Sequence, residues 1–131
     1  YATGMSAGGL MTTFLIIARS EQLAAALPFS GGLYAHAYQS PTENIPVMMV
    51  WGGPSDTYGT FSFDVASQDF SDGLQADGHF VVECEHTGGH TIPNGADDMA
   101  WLFFQDHPKS IDAETWISAL PSELPSYCAL P

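Results

Sequence analysis

Basic side chains are nearly missing from this chain: Arg19 and Lys109 stand against fifteen Asp and Glu, for a formal net charge of −13 at pH 7. A surface of that sign repels a phosphate backbone and anionic lipid headgroups, which argues against nucleic-acid and membrane-surface partners. The acidity fits either a surface kept hydrated in salty water or an ordinary acidic exported protein. Long hydrophobic runs are missing as well. Nowhere do about 18 apolar residues follow one another, so no segment is suited to span a membrane. Cysteine is scarce, with only Cys84 at the end of an apolar run and Cys128, fourth from the last residue. Pairing of the two would staple the tail onto the core and suggests an oxidising compartment. The alternatives are two buried thiols, or pairing of either with a cysteine upstream.

What is present suffices for one domain. The chain has 131 residues, 45% of them hydrophobic, enough to bury a single core. It begins at Tyr1 rather than Met, and a Gly-rich turn follows three residues later. The expectation is a fragment whose natural start, with any signal peptide, lies upstream.

After that turn, Leu10, Phe14 and Ile17 form one apolar stripe and Met11, Leu15 and Ala18 a second, predicting a helix apolar on most sides and therefore buried. A short strand is expected within Leu23 to Phe29, ahead of the breaker Ser30-Gly31-Gly32. Pro46 to Trp51 reads as a strand covered on both faces. Phe63, Ala66, Phe70 and Leu74 recur at helical spacing, and Phe80-Val81-Val82 opens a further buried strand ending near Cys84. Asp97 and Asp98 suit the first turn of a helix that His107-Pro108 stops. A last short helix is expected around Ala113 to Leu120, followed by a tail packed on the surface. Alternating strands and helices predict an α/β domain with a mostly parallel sheet, whose sites form at the carboxyl ends of its strands.

Three residues at such ends carry chemistry. Gly4-Met5-Ser6-Ala7-Gly8 has the form Gly-x-Ser-x-Gly, which places a serine on a strained strand-to-helix turn; small residues two before and two after let the backbone pack closely. The hydroxyl of Ser6 is the candidate nucleophile, and the backbone N–H of Ala7, at the helix start, points where an oxyanion would form. Asp56, in Gly52-Gly53-Pro54-Ser55-Asp56, is the candidate acid that would fix an imidazole's tautomer; the plainer reading is a turn aspartate capping the next helix. Asp64 and Asp69 fall inside that helix and suit the role less. His90 closes Gly88-Gly89-His90 and is the candidate general base. Its rivals are His86 in the same role, or a metal held by His86 and His90 with Glu83 or Glu85. The Gly-Gly loop disfavours the metal, because a four-residue spacing juxtaposes two histidines only on a helix. His36, His79 and His107 read as surface or packing residues. Met5, Tyr34, Trp51 and Tyr58 are candidate pocket residues, and with Trp101 the aromatics could form a surface; ordinary packing is the alternative.

The segments Gly4-Met5-Ser6-Ala7-Gly8-Gly9, Ser30-Gly31-Gly32, Trp51-Gly52-Gly53-Pro54-Ser55-Asp56 and Gly89-His90-Thr91-Ile92-Pro93 together resemble α/β-hydrolases of the polyhydroxybutyrate depolymerase and feruloyl esterase type. The order serine, acid, histidine is the α/β-hydrolase order. The resemblance extends through about residue 106 and implies secretion or periplasmic export, no cofactor and no metal. It also implies an acyl-enzyme route on ester substrates, with the triad Ser6, Asp56 and His90 and one oxyanion N–H from Ala7. The short connection between Gly31 and Pro46, which leaves the site uncovered, leans the substrate toward polymeric or plant cell-wall esters, though it also fits small ones. The whole chain, residues 1–131, would then be the C-terminal portion of one catalytic domain, its first strands and second oxyanion donor upstream. An open strand edge and exposed apolar surface around the first helix would follow. Only about fourteen residues separate Gly31 from Pro46, too few for a large lid. Two other functions stay open: a serine peptidase of the prolyl-oligopeptidase type, and a non-catalytic binding domain that keeps the turn for structure. Loss of one oxyanion donor costs a factor of about 10²–10³ in rate. The isolated 131-residue chain is therefore expected to be poorly soluble or inactive, and substantial esterase turnover by it would contradict this reading.

Overall fold

The computed structural model describes residues 1–109 and 114–131. In chain order its elements are β1 (Ala2–Met5), α1 (Ala7–Arg19), β2 (Ala26–Phe29), β3 (Val47–Trp51), β4 (Thr57–Tyr58), β5 (Phe61–Ser62), α2 (Phe63–Ala76), β6 (Val81–Glu85), α3 (Ala96–Asp106) and β7 (Cys128–Ala129). Five strands form one sheet in the order β1-β2-β3-β6-β7, the first four parallel and β7 antiparallel to β6. The remaining two make a small antiparallel hairpin.

The apolar runs become strands because both sheet faces are covered. Alternation along β3 sends Val47, Met49 and Trp51 to one face, where Ile16 of α1 and Phe70 and Leu74 of α2 pack. Met48 and Val50 face the other side, against Met99 and Phe103 of α3 and Trp116 and Leu124 of the tail. The hydroxyl of Ser62 caps α2 by accepting from the N–H of Val65 at 3.2 Å, and α3 opens on Asp97 and Asp98, where carboxylates suit the helix dipole.

Three expectations need correction. First, α1 is not buried on most sides: Gly9, Thr12, Thr13 and Ile16 are buried, while Met11 and Phe14 are 56% and 58% exposed. The helix meets the sheet with Gly9, Thr12 and Thr13 as well as Ile16. That face can be polar because the hydroxyls of Thr12 and Thr13 donate to the carbonyls of Gly8 and Gly9 at 2.8 and 3.1 Å. Second, residues 114–120 are turns and bends rather than helix, and Ala113 lies outside the described residues. Side-chain bonds hold this stretch instead: the Glu114 carboxylate accepts from the Trp116 N–H at 2.9 Å, and Trp116 Nε1–H donates to Asp106 at 3.0 Å. Third, the tail ends as a strand of the sheet rather than merely lying on the surface.

That strand is tied covalently. Cys84 and Cys128 are register partners across β6 and β7 and form a disulfide. The opposite edge is open: among the described residues β1 pairs only with β2, and the apolar face of α1 has no covering element. A cross-link over a separation of 44 residues is worth roughly 4 kcal/mol in the chain-entropy picture. Reduction, or the double change Cys84→Ser with Cys128→Ser, is expected to lower the urea-unfolding free energy by about that amount. A loss under about 1 kcal/mol would show that the β6–β7 pairing holds the tail without the bond.

Candidate active site

The sheet brings the ends of β1, β2, β3 and β6 to one rim, and the three candidate residues stand just beyond it. Ser6 occupies the turn from β1 into α1 with φ 60° and ψ −117°, a region that costs a non-glycine residue on the order of 1–3 kcal/mol. The turn is pinned on both sides: the Ser6 N–H donates to the Phe29 carbonyl at 3.0 Å, and its own carbonyl accepts from Leu10 at 2.8 Å. A methyl group at Gly4 would lie 2.7 Å from the Gly8 carbonyl, so the first glycine of the pentapeptide is demanded by contact. Beyond its own helix backbone and chain neighbours, no described atom lies within 4 Å of a methyl built on Gly8, so space does not demand the second. Ala7 opens α1, and its N–H has no carbonyl one turn earlier within the helix to bond.

Asp56 follows β3 and is fully buried. Its Oδ1 lies 2.7 Å from His90 Nδ1, while its Oδ2 accepts from the Ser30 hydroxyl at 2.8 Å and the Gly52 N–H at 2.9 Å. A carboxylate only accepts, so His90 Nδ1 carries the proton and Nε2 is free to accept from the Ser6 hydroxyl, 2.9 Å away. The structure thus brings Ser6, Asp56 and His90 into one hydrogen-bonded line.

His90 sits after β6, three strands from β1, a span of about 14 Å at the usual strand spacing. Its loop is drawn back by two backbone bonds, His86 N–H to Trp51 O at 2.9 Å and Gly89 N–H to Gly52 O at 3.1 Å. Gly52 makes the approach possible, since a methyl there would lie 1.9 Å from the Gly89 carbonyl oxygen. Phe63 stacks on the imidazole with ring centres 4.5 Å apart and planes at 21°, and its N–H donates to the Asp56 carbonyl at 2.8 Å.

His86, the rival base, is buried away from Ser6 against Tyr127, and its Nδ1 accepts from the Gly88 N–H at 3.0 Å. Burial holds its pKa below the ordinary value, the Asp56 carboxylate pulling the other way. Glu83 is engaged with Ser71 and Gln75, and among the described residues no group of three or more His, Cys, Asp or Glu stands close enough to hold a metal. His36 is exposed; His79 and His107 are buried, bonded to the backbone of Ile45 and Phe103.

The candidate pocket residues divide. Tyr58 is exposed beside His90, with ring centres 6.4 Å apart, and Tyr34 is exposed against Phe61, which in turn meets Phe63. Trp51 is not a pocket residue. Strand alternation buries it under α2, where its Nε1–H donates to Asp64 at 2.9 Å. Met5 packs on the α3 side of the core, and Trp101 is exposed on α3. An apolar groove of about 440 Å³ opens beside Ala7, between α1 at Leu10, Met11 and Phe14 and the loop at Leu33 and Tyr34. Ser30 and Phe63 entered the sequence reading only as part of a loop and of a helix stripe and were not assigned to the site, because nothing local marks a serine before two glycines or a helix-initial phenylalanine as partners of residues 26 and 27 positions away.

No protein-family model matches the chain, and no curated protein matches it significantly. Its fold is similar to solved structures. Native sOPH superposes with a TM-score of 0.69 at 22% identity over 82% of this chain, and native pOPH with 0.68 at 23% over 82%. The protein Atu2452 of unknown function from Agrobacterium tumefaciens superposes with 0.61 at 22% over 80%. The chain spans about half the length of these structures, 46%, 46% and 50%. At this identity the likeness shows the fold alone, the expected α/β architecture with a mostly parallel sheet.

The two glycines make a direct test of the packing. Gly52→Ala is expected to cost about 1–3 kcal/mol in urea unfolding by forcing the Asp56 and His90 loops apart. Gly8→Ala, in open space within a helix, should leave stability unchanged or raise it by up to about 1 kcal/mol. Equal losses at both positions would contradict the contact between Gly52 and Gly89.

Proposed function

We propose that the protein is a serine hydrolase of esters that works through an acyl-enzyme, with this chain forming the C-terminal part of the catalytic domain. The observation that carries the proposal is the line of 2.9 Å and 2.7 Å contacts from Ser6 through His90 to a fully buried Asp56, made by residues 84 and 34 positions apart. His90 Nε2 takes the Ser6 proton as the hydroxyl oxygen attacks the ester carbonyl. The tetrahedral oxyanion meets the Ala7 N–H, and the imidazolium is stabilised by Asp56. Collapse expels the alcohol, which receives the proton from His90; water then repeats the sequence on the acyl-enzyme. No step calls for a cofactor.

A bulky ester, polymeric or from plant cell wall such as a polyhydroxyalkanoate or a feruloyl or acetyl ester, is the substrate class we favour. The connection from β2 to β3 carries no helix or strand that could cover the site, Tyr34 and Tyr58 stand exposed, and the groove beside Ala7 is apolar. Export fits the Cys84–Cys128 disulfide, and among the described residues no helix is long and apolar enough to cross a membrane.

Fluorophosphonate labelling of the protein with its natural N-terminus, read by intact mass, tests the proposal. One adduct is expected, lost in Ser6→Ala and strongly reduced in His90→Ala, with turnover of nitrophenyl esters exceeding that of aminoacyl anilides. The reverse preference would select a peptidase of the prolyl-oligopeptidase type. A folded protein that takes no label would select a non-catalytic binding domain.

A further inference from the structure

Ser30 stands out twice. Its backbone has φ 45°, a left-handed conformation that glycine adopts more readily, although the two residues that follow it are themselves glycines. Its side chain is buried and donates to Oδ2 of Asp56 at 2.8 Å from the end of a neighbouring strand. The N–H of Ser30 donates to the Val50 carbonyl at 2.8 Å, which continues the β2–β3 ladder through the strained residue and fixes where its hydroxyl points.

We infer that Ser30 is a positioning residue that acts on the nucleophile through Asp56, an inference that rests on the proposed triad. Asp56 Oδ2 has two donors, the Gly52 N–H from its own loop and the Ser30 hydroxyl from β2. Together they set the plane of the carboxylate so that Oδ1 faces His90 Nδ1, and they draw charge toward Oδ2. Without the hydroxyl, the carboxylate can turn about its Cβ–Cγ bond, and a buried acceptor is left under-satisfied. Both effects reduce the fraction of His90 held in the orientation that serves Ser6. The other titratable groups around this loop are His86, close enough to feel the Asp56 charge, and Glu85, which lies beside Gly53. Neither is altered by a change at residue 30.

Ser30→Gly separates the hydroxyl from the backbone, because glycine suits φ 45° and its fold should be kept; Ser30→Ala and the weak donor Ser30→Cys complete the set. In the protein with its natural N-terminus, kcat/KM on a nitrophenyl ester and the fluorophosphonate labelling rate are measured against pH, beside thermal unfolding. The expected result for Ser30→Gly and Ser30→Ala is a fall of about tenfold to a hundredfold in kcat/KM and in labelling rate, with KM little changed. Ser30→Cys should be intermediate. A labelled parent whose Ser30→Gly variant matches it in rate and pH profile overturns the role of Ser30 alone, as does a lowered Tm with parental rate and profile. A parent that takes no label overturns the nucleophile reading and this role with it.

Discussion

A carboxylate with no exposed surface governs this architecture. An unpaired buried charge costs several kcal/mol, so Asp56 is tolerable only with its donors in place, and these come from three separate stretches: Ser30 after β2, Gly52 after β3 and His90 after β6. The parallel sheet supplies the convergence. Strands that run the same way end on the same rim, and the order β1-β2-β3-β6 makes those ends neighbours. The contact of Gly52 with Gly89 then folds the last loop back far enough for one imidazole to touch both an acid on β3's loop and a hydroxyl on the edge strand.

The two edges of the sheet are built differently. At β6 the tail adds a short antiparallel strand and a disulfide, which closes that side. At β1 the ladder is open among the described residues, and the flank of α1 facing away from the sheet carries Met11 and Phe14 in the open. Exposed apolar surface and an unpaired edge in one place are what a domain shows where further chain packs on it. The edge accords with the proposal that residues 1–131 form part of a larger domain.

Much of the fold was legible because buried parallel strands are written as continuous apolar runs. Pro46 to Trp51 and Phe80 to Cys84 needed only their glycine boundaries to be read. The candidate site residues were legible from their turns: Asp56 and His90 each lie in a glycine-rich turn after such a run, and Ser6 in the spacing Gly-x-Ser-x-Gly. Reading failed where packing ignored the apolar count. The face of α1 that meets the sheet is Gly9, Thr12, Thr13 and Ile16, mostly small residues suited by size and local hydroxyl bonding, so the stripes of large residues marked the wrong side. Trp51 followed the alternation of its strand into the core rather than the rim. The hairpin at residues 57–62 and the strand at Cys128 are two residues per strand, too short for any periodicity. Ser30 and Phe63 join the site only through contacts that tertiary structure makes.

In the proposed mechanism Asp56 holds His90 in the tautomer that can take the Ser6 proton. Asp56→Asn keeps the size of the side chain but removes the charge and can reverse the hydrogen bond to Nδ1. It is therefore the most direct test, read as kcat/KM on an ester substrate in the protein with its natural N-terminus. A fall of about 10⁴ in kcat/KM, carried by kcat with KM little changed, is the result the account predicts. Activity within about tenfold of the parent would contradict it.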